Sequence, residues 1–195
     1  CCNGTISVSF FSPDKKVAKG QGVKIAQLSC ILYRDSLLVY DETLDPVGDK
    51  FHITITGLTP DSTYTMSLMG HNESSSVLAR AEAGAIRVEP GITTHVCMRF
   101  TSFVPSPISP HHGDVLDKSR IELRWTSVEQ AESYILKVAG DDDYRDVFLR
   151  EYGLSDTVYT FQRNGQEKTF YWKVGCSDRA GNSGVWSETY SFEVR

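Results

Sequence analysis

The sequence predicts an all-β protein built as two tandem antiparallel β-sandwiches. Three observations lead there. Apolar residues recur with period two in nearly every segment, which is the signature of strands with one buried face. Clusters of Gly, Pro, Asn and Asp divide those segments at short intervals. A chain of 195 residues also leaves room for two domains, and a Pro-rich stretch falls near its middle.

In order, alternation appears in Ile6-Val8-Phe10, Ala26-Leu28-Cys30-Leu32, Ile53-Ile55, Tyr64-Met66-Leu68 and Val96-Met98-Phe100. It resumes in Ile121-Leu123-Trp125, Tyr134-Leu136-Val138, Phe170-Trp172-Val174-Cys176 and Tyr190-Phe192-Val194. Pro60-Asp61 and Glu89-Pro90-Gly91 read as turns between strands. Val128 to Lys137 carries Gln130-Ala131-Glu132 but no second apolar turn, so it reads as a connection rather than a helix.

Between the halves, residues 101–110 hold Pro105, Pro107 and Pro110. Each removes a backbone donor and fixes φ, which predicts a semi-rigid linker lying outside any sheet. Phe103 and Val104 are its apolar members. The expected organisation is a tether at 1–4, a sandwich at 5–100, the linker at 101–110 and a second sandwich at 111–195. The halves echo one another at an offset of 106 residues. Ile53-Thr54-Ile55 answers Tyr159-Thr160-Phe161, and Thr63–Leu68 answers Thr169–Val174.

Composition narrows the function. The formal net charge is −5 with both signs spread along the chain, which argues against a nucleic-acid surface. No apolar run approaches the 18 or so residues of a spanning helix. The five Cys fit neither a zinc spacing nor a disulfide framework. Cys30 lies on the apolar parity of its strand and Cys97 on the polar parity, so a bridge between them would need a bulge. Cys176 reads as a buried small hydrophobe. The sequence lacks a nucleophile elbow, a His-Glu-x-x-His helix, a phosphate loop and a dinucleotide fingerprint, so no catalytic residues and no cofactor are expected.

Residues 106 to 195 resemble a fibronectin type III domain of the bacterial extracellular kind. The resemblance runs through Ile121–Trp125, Ala131–Val138, Thr157–Phe161, Thr169–Val174, Asp178–Asn182 and Trp186-Ser187. It implies that Trp125 is the buried aromatic of the second strand. It also implies that Phe170, Trp172, Val174 and Cys176 form the inward face of the sixth. Phe170 stands where the family carries a Tyr whose hydroxyl bonds back to the preceding loop. Residues 5 to 100 look like an immunoglobulin-like or transthyretin-like sandwich, in which Tyr64 would supply that corner hydroxyl. Trp186-Ser187-Glu188 is faintly similar to a cytokine-receptor ectodomain, but that family's second Trp-Ser pair is missing.

Two polar clusters invite a metal reading. Asp141-Asp142-Asp143 with Asp146 lacks the alternating ligands and Gly of a calcium loop and reads as a solvated turn. His111-His112 with Asp114 reads as a wet surface pair, and no metal site is expected. His52 and His95 fall on the polar parity of their strands.

The chain begins Cys1-Cys2-Asn3-Gly4-Thr5 and passes directly into a strand. An N-terminal Cys opening a short tether is the form of a processed bacterial lipoprotein, so Cys1 is expected to carry the lipid anchor. The whole is similar to small two-module bacterial lipoproteins. The expected role is a non-catalytic cell-envelope lipoprotein, membrane-anchored and either periplasmic or surface-exposed. It would serve as a binding or spacer module for a protein or glycan partner. The alternative is an accessory module pair of a secreted polysaccharide-degrading system. The candidate binding surface is Tyr171, Lys173, Arg179, Asn182 and Trp186, because aromatic and Arg side chains dominate binding hot spots. For Trp186 and Tyr171 the competing expectation, and the favoured one, is packing on their own sandwich.

Overall fold

The computed structural model describes residues 3–11, 25–45, 50–117, 119–162 and 168–195. Cys1 and Cys2, and with them the expected lipid anchor, lie outside the described residues. The described residues form sixteen strands and no helix. The chain divides into two compact units, Cys1–Ser102 and Phe103–Arg195.

The first unit is a sandwich of two sheets. Strands β1 (Gly4–Phe11), β4 (Lys50–Leu58) and β7 (Thr93–Arg99) form a three-stranded sheet in the order β4-β1-β7. Strands β2 (Gln27–Arg34), β3 (Leu37–Leu44), β5 (Ser62–His71), β6 (Val77–Val88) and β8 (Thr101–Ser102) form the other, in the order β3-β2-β5-β6-β8. One pair, β1 with β7, is parallel. The core lies between the sheets, where Ile6, Val8, Leu28, Leu32, Met66 and Leu68 are fully buried. Their alternation in sequence is the period of the pleat. Asp35 and Ser36, both at positive φ, make the tight turn from β2 to β3.

Tyr64 does what the resemblance implied. Its buried hydroxyl accepts the Thr59 N–H at 2.9 Å and donates to the Thr59 carbonyl at 3.1 Å, tying the loop before β5 to the core. Tyr64→Phe leaves both backbone groups without that partner. It is expected to cost about 1–3 kcal/mol, read as a shift of the denaturation midpoint.

The second unit is also a two-sheet sandwich. Strands β9 (Pro107–Ser109), β11 (Arg120–Trp125) and β14 (Val158–Gln162) run in the order β14-β11-β9. Strands β10 (Asp114–Leu116), β12 (Ser133–Ala139), β13 (Val147–Leu154), β15 (Lys168–Ser177) and β16 (Tyr190–Val194) run in the order β10-β16-β15-β12-β13. Again one pair, β10 with β16, is parallel. Trp125, Leu123, Leu136, Trp172, Val174 and Phe192 fill the space between the sheets. Trp125 meets Tyr134 edge to face at 5.8 Å between ring centroids. Phe170 packs against Phe161 and Phe192 at 5.2 and 5.5 Å.

The expected linker at 101–110 is corrected. Thr101–Ser102 is β8 and pairs with β6 in the first unit, whereas Pro107–Ser109 is β9 and pairs with β11 in the second. The second sandwich therefore begins before residue 111. Pro107 is tolerated because β9 is an edge strand, where a missing N–H costs no ladder bond. Phe103 is buried, its ring lies against Gly184, and its carbonyl accepts a hydrogen bond from the Cys176 thiol at 3.3 Å. The stretch Val128 to Lys137 is a turn followed by β12, with the Val128 N–H donated to the Tyr134 hydroxyl at 2.9 Å.

Cys30 faces the core and Cys97 faces solvent, and both thiols are free. Parity alone decides this, since inward and outward Cβ positions on facing strands cannot meet disulfide geometry.

Candidate binding face

The five-stranded sheet of the second unit has one face in the core and the other toward water. On β15, Phe170, Trp172, Val174 and Cys176 are buried, so Tyr171 and Lys173 point outward. On β12, Tyr134, Leu136 and Val138 are buried, so Ile135 and Lys137 point outward. Register then does something the linear sequence conceals. Lys137 stands directly opposite Lys173 on one side and Arg150 of β13 on the other. Three cations form a row across three adjacent strands, spanning about 10 Å at the usual strand spacing.

Like charges directly opposed on a sheet are destabilising unless something holds them. Here aromatic rings do. The Lys137 Nζ lies 4.4 Å from the centroid of the Trp186 ring, and the Lys173 Nζ lies 5.5 Å from it. The Lys173 Nζ also sits 3.7 Å from the ring of Tyr144. Each contact is worth about 0.5–1 kcal/mol at an exposed site. Burial lowers the pKa of both lysines, and the second cause is a neighbouring cation, Arg150 for Lys137 and Lys137 for Lys173. Burial also pushes the Tyr144 phenol up to about 12, and its hydroxyl donates to Thr189 at 3.3 Å.

Trp186 is held from below and along its chain. Its ring lies over Gly175 of β15, so close that a Cβ there would meet it at 3.4 Å. The next residue straps the segment to β15. The Ser187 N–H donates to the Val174 carbonyl at 2.8 Å, and the Val174 N–H donates to the Ser187 hydroxyl at 3.0 Å. Gly175→Ala makes an ordinary contact with the indole and is expected to be tolerated. Gly175→Val lifts the ring off the two lysines and is expected to lower stability by about 1–3 kcal/mol, measured by chemical denaturation.

The five residues singled out from sequence thus separate. Tyr171, Lys173 and Trp186 meet on this face. Trp186 is half-buried and packs on its own sandwich, as the competing expectation held. Arg179 is exposed in the loop after β15. Asn182 is turned into that same loop: its backbone N–H and its side-chain Nδ2 donate to the two carboxylate oxygens of Asp178 at 2.7 and 2.8 Å. Lys137, Arg150, Tyr144 and Tyr152 were missed. Only β-sheet register, absent from any local motif, brings the first two beside Lys173. Arg150 and Tyr152 share the outward side of β13, where the guanidinium donates to the Tyr152 hydroxyl at 3.4 Å, and Tyr152 is 61% exposed.

The two metal-like clusters have local duties. The Asp141 carboxylate accepts the N–H groups of Arg145 and Asp146 at 3.0 and 2.6 Å, and these bonds pull its pKa down. Asp143 pairs with Arg145 at 3.1 Å and Asp146 with Lys168 at 2.9 Å. His111 donates its backbone N–H to Asp114 at 2.8 Å, while His112 accepts the Ser191 N–H at 3.2 Å.

The strand order A-B-E against A′-G-F-C-C′, written here as β9-β11-β14 and β10-β16-β15-β12-β13, decides the second unit. It has the fibronectin type III fold. No family model and no curated protein matches the chain. Among solved structures it is similar to an Fn3-like protein from Clostridium thermocellum. Identity there is 18% and the TM-score 0.37, over 47% of this chain and 91% of that one. It is similar to fibronectin(III)-like modules of Clostridium thermocellum CbhA, at 11% identity and TM-score 0.35, over 46% of this chain and 93% of that one. It is also similar to the FN1–FN3 domains of chicken CNTN1, at 13% identity and TM-score 0.37, over 87% of this chain and 56% of that one.

Proposed function

We propose that this chain is a non-catalytic binding module of a bacterial cell envelope, tethered by acyl chains on Cys1, with the fibronectin type III unit presenting its outer face to a partner. The observation that carries the binding half is the row Lys173–Lys137–Arg150 with its aromatic supports. A fold that needed only to space two points apart would gain stability by breaking that row with an acid or a threonine. The first unit, read as an immunoglobulin-like or transthyretin-like sandwich, is the spacer. Cys1 stands three residues ahead of β1, so acyl chains there would hold that unit close to a bilayer.

The test uses the full-length gene product in its own cells. Alkynyl-palmitate labelling is expected to mark the wild type and not Cys1→Ala. A photo-cross-linking residue at position 171 is expected to form adducts, and one at Ile92, exposed in the first unit, is not. Adducts from both positions, or from neither, would remove this face as the binding surface. Label retained by Cys1→Ala would remove the anchor.

A further inference from the structure

We infer that the outer face of the β13-β12-β15 sheet binds an anionic polysaccharide, a uronate or sulfated glycan, through the row Lys173–Lys137–Arg150. The inference rests on the binding face proposed above and names the chemistry of its ligand.

Four features of the face point to that class. The cationic residues stand one per strand, on adjacent strands about 5 Å apart. A polymer with one charge on each sugar presents charges at a comparable repeat, so adjacent residues can be met without bending either surface. Three acids of this unit have cations of their own: Asp143 pairs with Arg145, Asp146 with Lys168, and Glu193, on the outward side of β16, with Arg195 at 3.1 Å. The only charges that shift Lys137 and Lys173 are other cations of the row. The row therefore keeps its positive field although the whole chain carries −5. Flanking aromatics supply flat apolar surface. Tyr171 is half-exposed on one side of the row and Tyr152 is exposed on the other. Aromatic faces of this kind stack on the C–H faces of sugar rings. Finally, the ammonium groups are held in place by Trp186 and Tyr144 before any ligand arrives, which lowers the ordering cost of binding.

A peptide strand would instead seek an open sheet edge for its backbone bonds. This row lies across the middle of a face, where the backbone groups of β12 and β15 are bonded to their neighbours.

The test is a binding titration of the full chain against polygalacturonate, alginate and heparin, with dextran and poly-L-glutamate as comparison polymers. Polygalacturonate, alginate or heparin is expected to bind at low ionic strength and to weaken steeply as salt screens the row. The double variant Lys137→Gln/Arg150→Gln is expected to weaken binding by about tenfold or more, with little change in the thermal midpoint, because the like-charge repulsion it removes offsets the lost Lys137–Trp186 and Arg150–Tyr152 contacts. Arg87→Gln/Arg99→Gln, an equal charge change on exposed residues of the first unit, is expected to leave binding within about twofold. Failure of all three polyanions, equal binding of dextran, or an equal loss in the first-unit variant would overturn the inference. Poly-L-glutamate binding as tightly as the glycans would overturn it in favour of an acidic protein segment. Adducts from position 171 without polyanion binding would leave the proposed binding face intact and sink only the ligand class.

Discussion

Trp172→Ala is expected to destabilise the protein by about 3–5 kcal/mol, the cost of deleting a large buried aromatic and leaving a cavity that the sheets cannot close. Trp172 is fully buried on β15, between Val138 of β12 and Tyr190 of β16, and meets Tyr190 edge to face at 6.2 Å. A domain of this size has only about 5–15 kcal/mol in all, so the substitution removes a large share of it. At about 4–8 °C per kcal/mol, the midpoint should fall on the order of 20 °C. The contrast with Trp186 makes the measurement decisive. Trp186 is half-buried on the outer face and contributes chiefly two cation–π contacts and its cover over Gly175. Trp186→Ala should cost about 1–2 kcal/mol. Thermal unfolding of the two variants side by side checks the assignment. Equal costs would mean that the inward and outward faces of β15 are not the ones described.

How far the fold could be read from sequence follows from burial. A strand with one buried face writes its geometry as alternation, and β2, β5, β11, β12, β15 and β16 were all legible for that reason. The echo at 106 residues has a structural meaning: β5 and β15 are strands of the same length, offset by that number at both ends, and the preceding strands β4 and β14 carry the rest of the echo. Strands without a single buried face left no such trace. β3 reads Leu-Leu-Val-Tyr-Asp-Glu-Thr-Leu and β13 reads Val-Phe-Leu-Arg-Glu-Tyr-Gly-Leu; both are edge strands, largely exposed on both sides, and neither alternates. β6 fails in the opposite way. Its first five residues, Val77 to Ala81, are all buried, so the period-two signal is lost before Ala85 at positive φ breaks the register. The prolines of 101–110 exclude a central strand but not an edge strand, and β9 is one, so Pro107 loses no ladder bond there.

The candidate face was half legible for a related reason. Lys173, Tyr171 and Trp186 sit near one another in sequence on a recognisable strand and its following loop. Lys137 and Arg150 sit on strands identified by different signals, or by none. A row perpendicular to the strands is a property of register, and register is set by the whole hydrophobic pattern rather than by any local motif.

The second large effect is a loss of stability at alkaline pH to which one buried thiol contributes strongly. Cys30 is fully buried on β2, on the core side with Leu28 and Leu32. Burial pushes its pKa from 9.0 up to about 12, and the carboxylates of Glu42 and Asp41 on the neighbouring strand add to the rise. The sign follows from proton counting. Between those two values the unfolded chain has released the thiol proton and the folded chain has kept it. The unfolded state then binds fewer protons, so stability falls as pH rises. The contribution is fully present below pH 9 and drains away toward pH 12. Each unit of difference is worth about 1.4 kcal/mol, so the full loss is on the order of a few kcal/mol. Urea denaturation from pH 8 to pH 11 should show a declining midpoint in the wild type. Cys30→Ala should start lower, because a buried side chain has been trimmed, but should decline less over the same range. Burial of Tyr144 raises its phenol to about 12 and adds a slope of the same sign above pH 10, so Tyr144→Phe in the Cys30→Ala background should flatten the curve further. Parallel curves for wild type and Cys30→Ala would mean that the thiol is not sealed in the core. The same burial separates the thiols chemically. In the native protein at neutral pH, exposed Cys97 should alkylate readily, whereas Cys30 and Cys176 should react only on unfolding.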